Sequence, residues 1–265
     1  MLVGEDLSMK TEMTLAALLM GVAMGASGQE AAPQAVDPIY TAAVPTAEQV
    51  KRLQALGADW PQLARYREEN ARLAPPAAGE RRVVFYGDSI TDSWGRRGDE
   101  TKFFPGKPYV NRGISGQTTA QMLVRFEQDV VHLKPAVVVI LAGTNDLAGN
   151  TGLASLEMIE DNFQAMVAIA KASGIRVVLA SVLPATDYPW RRGLQPAAKI
   201  KTLNAWMKTY AGQNGCVYLD YHSAMSNAAG GLDPKLAEDG VHPTAAGYAV
   251  MAPLAERAIE EALGK

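Results

Sequence analysis

The sequence predicts a three-layer α/β/α sandwich with a five-stranded, mainly parallel sheet, and three observations lead there. Short runs rich in β-branched and aromatic residues alternate with segments whose apolar residues recur at three- and four-residue steps. That alternation is the pattern of a parallel sheet with crossover helices. One run, 137–142, is apolar throughout, as a strand covered on both faces requires. Glycine, Asn, Asp, Ser and Thr follow several of the strands, which gathers polar turn residues at the sheet edge where open α/β folds bind ligands.

In chain order, residues 1–28 read as a secretory signal peptide. Lys10 precedes an apolar segment, 15–26, followed by Ala26-Ser27-Gly28 and polar Gln29-Glu30. The run is too short to span a bilayer. Cleavage is expected after Gly28, and Met9 is an alternative start because Glu5 and Asp6 depart from a basic leader. A buried or amphipathic N-terminal helix is the competing reading. No cysteine lies near the cleavage point, so no stable membrane anchor is expected, and the protein is read as exported to the periplasm or the exterior.

Residues 29–79 form an N-terminal extension. A lead-in rich in Ala, Pro and Gln (29–45) gives way to a helix capped by Thr46, with Val50 and Leu53 on one side. A second helix is expected to carry Trp60, Leu63, Arg67, Asn70 and Leu73, with Pro61 in its first turn. The linker 74–79 leads into the main domain, 80–265.

That domain opens with strand 83–86, ending at Gly87, and a helix begins behind Ser89. A second strand covers 109–112. A helix from Thr118 or Thr119 then buries Met122, Phe126 and Val130. Strand 137–142 is followed by a helix with Leu156, Ile159, Phe163, Met166 and Ala170 inward, closed by Gly174. Strand 177–183, a loop with Tyr188 and Trp190, a helix carrying Ile200, Leu203, Met207 and Tyr210, and strand 216–219 follow. A terminal helix from Thr244 buries Tyr248, Met251, Ala255 and Ile259.

The 265 residues are 48% hydrophobic and 20% charged, which suits one large domain with a substantial core. A net charge of −3 gives nucleic-acid binding no electrostatic support. The single cysteine, Cys216, can form no internal disulfide and reads as a small buried side chain. No Gly-x-Gly-x-x-Gly follows the first strand, which disfavours a dinucleotide binder.

Ser89, two residues past a strand-ending glycine, is a candidate nucleophile, although Gly-Asp-Ser alone also serves as a turn and helix cap. Acyl transfer by serine needs a base, a group to orient that base, and donors for the oxyanion. Of the three histidines, His132 and His222 read as structural. His242 is preceded by Asp239 in a Gly-containing turn, close enough for the carboxylate to reach Nδ1 and leave Nε2 facing a serine. Gly113 and Asn145 follow the second and third strands and are candidate oxyanion donors, one by its backbone N–H and one by its side-chain amide.

Four ordered blocks carry a resemblance: Gly87-Asp88-Ser89-Ile90-Thr91, Asn111-Arg112-Gly113-Ile114-Ser115-Gly116, Gly143-Thr144-Asn145-Asp146 and Asp239-Gly240-Val241-His242-Pro243. The chain resembles the SGNH, or GDSL-type, hydrolases over nearly all of its mature length. The resemblance implies a flavodoxin-like fold, Ser89 as nucleophile, His242 as base and Asp239 orienting it. It also implies an oxyanion hole built from the N–H groups of Ser89 and Gly113 and the side chain of Asn145. Ile90 stands where leucine is commoner in the family, a conservative change.

The implied activity is carboxylic ester hydrolysis, with neither metal nor cofactor. No long apolar lid is visible, which favours short acyl groups, acetyl above all, on a carbohydrate or small alcohol. Asp88, Trp94, Tyr188 and Trp190 are the candidate substrate-contacting residues. A lysophospholipase or thioesterase of the same fold and a non-catalytic carbohydrate-binding protein are the competing readings.

Overall fold

The computed structural model describes residues 46–96 and 102–264, so the expected leader at 1–28 and the lead-in at 29–45 lie outside the described residues. Five strands, β1 (Val83–Gly87), β2 (Tyr109–Gly113), β3 (Val137–Leu141), β4 (Arg176–Ala180) and β5 (Val217–Leu219), form one sheet in the order β2-β1-β3-β4-β5. Every neighbouring pair is parallel. Both β1 and β3 are buried along their whole length, which is why neither alternates in polarity.

Successive side chains of a strand point to opposite faces, so the sheet divides the core in two. On one face Val84, Tyr86, Val138, Ile140, Val177 and Leu179 meet Met122 and Phe126 of α4 (Thr119–Asp129). The same face packs Ile159, Phe163 and Met166 of α6 (Leu156–Ala172) and Ile200, Leu203 and Met207 of α7 (Ala197–Gln213). On the other face Val83, Phe85, Val139, Leu141, Val178 and Leu219 meet Ile90 of α3 (Ser89–Ser93) and Tyr221 of α8 (Tyr221–Met225). There α9 (Ala245–Gly264) adds Tyr248, Met251, Ala255 and Ile259. The three- and four-residue spacings thus mark the inner faces of α4, α6, α7 and α9.

The stretch ahead of β1 differs from the periodicity-based expectation. After α1 (Ala47–Ala58), the chain does not run as one helix to Leu73. Asp59 takes the N–H groups of Leu63 and Ala64 on its two carboxylate oxygens, at 2.8 and 2.9 Å, and Gln62 adopts a left-handed φ of 57°. Only α2 (Arg67–Arg72) is helical. A side-chain acceptor captures backbone donors that a continuous helix would have used. The segment is nonetheless pinned down: fully buried Tyr66 donates to the Gly113 carbonyl, and Asn70 donates to Asp129 at 2.7 Å and accepts from Arg112 at 2.8 Å.

Candidate active site

The site begins where β1 stops. A Cβ at Gly87 would sit 2.7 Å from the Leu141 carbonyl oxygen of the adjacent strand, so only glycine fits. The next residue, Asp88, caps α3 by accepting the Ile90 N–H at 3.0 Å. This turn delivers Ser89 to the carboxyl end of the sheet. Behind it, fully buried Arg125 donates to the Gly87 and Arg112 carbonyls at 3.1 and 2.9 Å and pairs with Asp129, bracing the ends of β1 and β2.

Ser89 and His242, remote in sequence, meet there: Oγ lies 2.9 Å from Nε2. On the other side of the ring, Nδ1 lies 2.6 Å from an Asp239 carboxylate oxygen. The second Asp239 oxygen accepts the N–H groups of His242 and Val241 at 2.7 and 2.9 Å, across a turn in which Gly240 has φ 78°. Partial burial pushes the Asp239 carboxyl up, but the hydrogen bonds from the His242 backbone and ring and from Val241 outweigh it and hold the group below the usual carboxylate range. An ionised Asp239 accepts a hydrogen bond from Nδ1–H, which places the Nε2 lone pair toward the Ser89 hydroxyl.

Asn145 comes from α5 (Thr144–Leu147), which follows Gly143 at the end of β3. Its amide nitrogen donates to the Gln117 carbonyl at 3.0 Å and to Asp88 at 3.2 Å, and its oxygen accepts from Asn150 at 2.7 Å. Burial pushes the Asp88 carboxyl up to about 7 against the pull of the Ile90 hydrogen bond, and neighbouring Asp146 adds to the rise. Asp88, expected to contact substrate, is buried in contact with Asn145 and does not line the cleft.

Gly113 does not hold the position expected of it. Its N–H donates to the Asn111 side chain at 2.9 Å, and a Cβ there would come within 2.7 Å of the Asp92 backbone. Its missing side chain allows close packing of β2 on α3. Three residues on, Gly116, with φ 81°, lines the cleft beside Ser89 and Asn145. The signal for Gly116 was a glycine after Ile114-Ser115, in the same block.

The cleft has a volume of about 630 Å³. Ser89 and His242 share it with Asn145, Asn150, Gln62, Gln121, Ser115, Thr151, Gly116, Trp60 and Trp190. Trp190, 43% exposed, has its ring 5.9 Å from that of His242 and donates through Nε1 to Asn150 at 3.1 Å. Tyr188 is fully buried and stacks with Trp190 at 5.1 Å, a support to the indole rather than a wall of the cleft. Trp94 is not in the cleft at all. It is buried among Phe85, Phe103, Phe104 and Tyr248, an aromatic cluster on the α9 side of the sheet. Trp60 is a cleft residue that sequence reasoning assigned to a helix face.

Among the described residues, no group of three or more His, Cys, Asp or Glu side chains is gathered as for a metal ion, and no helix is long and apolar enough to cross a membrane. The profile of the GDSL-like Lipase/Acylhydrolase family matches residues 85–250, the stretch that holds all four blocks. The chain belongs to this family. It is accordingly a carboxylic ester hydrolase. A GDSL-like lipase of Bacteroides thetaiotaomicron has a similar crystal structure, with 45% identity, TM-score 0.74, and coverage of 77% of this chain and 100% of that one. An acetylxylan esterase of Geobacillus stearothermophilus is 28% identical over 207 residues, 66% of this chain and 91% of the relative. Esterase TesA of Pseudomonas aeruginosa is 30% identical over 141 residues, 52% of this chain and 62% of the relative. Membership of the GDSL family gives the reaction class, ester hydrolysis, and not the particular ester.

Proposed function

We propose that this GDSL hydrolase cleaves short-chain acyl esters, acetyl above all, of a carbohydrate or small alcohol, with Ser89, His242 and Asp239 as its catalytic residues. The observation that carries the substrate class is the chemistry of the cleft wall: amides, hydroxyls and indoles, with no aliphatic side chain and no Lys, Arg, Asp or Glu among the described residues that line it. A long acyl chain needs aliphatic surface to leave water. A neutral polyhydroxylated alcohol is matched by amides and aromatic faces. The acetylxylan esterase relative supports the same class.

In the proposed reaction Ser89 Oγ attacks the acyl carbon while His242 Nε2 takes its proton. The Ser89 and Gly116 N–H groups and the Asn145 amide hold the oxyanion; for this the Asn145 amide shares the hydrogen it directs at Asp88 over 3.2 Å. The imidazolium, steadied by Asp239, returns the proton to the leaving alcohol. Water then repeats the sequence on the acyl-enzyme, releasing the acid and Ser89. Export through the leader at 1–28 completes the reading.

The test is a panel of acetyl, butyryl and octanoyl aryl esters followed by acetylated xylan. Activity falling with chain length is expected. Preference for octanoyl would overturn the short-chain reading in favour of a lysophospholipase or thioesterase.

A further inference from the structure

The cleft has a wall made by residues ahead of the stretch that matches the family, 85–250. Trp60 and Gln62 both line it. Trp60 is 40% exposed, a large apolar side chain left toward solvent beside a hydrolytic centre rather than folded into the core. Gln62 holds a left-handed backbone, φ 57°, that a non-glycine residue adopts at a cost; such outliers persist where the surroundings impose them, commonly at ligand sites.

The surroundings here do impose it. Asp59 closes the turn through the Leu63 and Ala64 N–H groups. The Trp60 and Pro61 carbonyls accept from the side-chain amides of Gln121 and Gln117 at 2.6 and 2.7 Å. The Gln117 carbonyl in turn accepts the Asn145 amide at 3.0 Å, so this wall is tied to the proposed oxyanion donor. A second half-exposed indole, Trp190, is held against the His242 ring. Two indoles and the amide of Gln62 around one cleft match a pyranose, whose C–H faces stack on aromatic rings while its hydroxyls bond to an amide.

We propose that Trp60 and Gln62 are specificity-determining residues that recognise the alcohol half of the ester, a sugar ring laid against the Trp60 indole. This rests on the short-chain ester reading above and adds to it a saccharide site built by the segment before β1.

Two measurements test it. In a Ser89→Ala background, binding of unacetylated xylotriose is followed by calorimetry. Trp60→Ala is expected to weaken it about tenfold, the scale of a lost stacking contact, and Trp60→Phe to restore most of it. With Ser89 intact, Trp60→Ala and Gln62→Ala are expected to lower the ratio of kcat/KM for acetylated xylotriose to that for methyl acetate, mainly through KM for the sugar ester. Unchanged xylotriose affinity in Trp60→Ala, or an unchanged ratio, overturns the proposal. Hydrolysis of methyl acetate without any xylotriose binding removes the sugar site and leaves the esterase reading standing. Xylotriose binding that depends on Trp60, without hydrolysis of either ester, removes the esterase reading alone.

Discussion

The side-chain amide of Asn145 lies 3.2 Å from an Asp88 carboxylate oxygen, joining the turn after β3 to the turn after β1 beneath Ser89. Neither residue is exposed, and each is held by a second partner: Asn145 by the Gln117 carbonyl and Asp88 by the Ile90 N–H.

Asn145→Ala is expected to lower turnover on an acetyl ester by about 10²–10³, the usual cost of one side-chain oxyanion donor. Circular dichroism should show a folded protein. Parent-level turnover would remove Asn145 from the site.

Asp88 sets a pH dependence of stability. Its folded-state value is about 7, above the ordinary 3.8, so between those two values the folded protein keeps a proton that the unfolded chain has lost. Stability from this group is therefore highest at low pH, declines as pH rises from about 4 to about 7, and is constant beyond. Asp88→Asn cannot ionise and keeps a capping side chain. The difference in Tm between variant and parent should grow in favour of the variant from pH 5 to pH 8. A difference that stays flat or shrinks would contradict the burial argument.

The two glycines of the second block separate by phenotype. Gly113→Ala would push a methyl group into the Asp92 backbone, so it should lower Tm sharply or prevent soluble expression. Gly116 has open space at its Cβ position but a φ of 81°, so Gly116→Ala costs backbone strain of about 1 kcal/mol and should act mainly on kcat. Thermal melts beside acetyl-ester kinetics check the contrast. Equal effects on Tm would contradict it.

Much of the fold was legible because its physics is local. The apolar run at 137–142 and the spacings of Met122 and Phe126, or Ile159, Phe163 and Met166, report burial without knowledge of neighbours. The closeness of Asp239 and His242 follows from three residues of chain around a glycine. What the sequence did not reveal depends on side chains from elsewhere. Asn111 occupies the Gly113 N–H, and it is Gly116, three residues on, that lines the cleft. Asp59 unwinds the expected second helix and turns Trp60 into a cleft residue. Trp94, expected near the catalytic edge as a substrate contact, is instead enclosed by Phe85, Phe103 and Phe104.

Asp239→Asn keeps the volume of the side chain while removing the charge that orients His242. Turnover is expected to fall by about 10²–10⁴, since the neutral amide no longer fixes the productive tautomer or steadies the imidazolium. Steady-state kinetics on an acetyl ester measures it, and a fall of less than about threefold would show that the 2.6 Å contact is structural only.

In the proposed mechanism the 2.9 Å contact between Ser89 and His242 makes this hydroxyl a nucleophile. Labelling with a fluorophosphonate probe, read by intact-mass and peptide mass spectrometry, checks this. One adduct is expected, on Ser89, formed far more slowly in His242→Ala and absent in Ser89→Ala. An unlabelled Ser89 in the folded parent protein, or labelling undiminished without the imidazole, would contradict it.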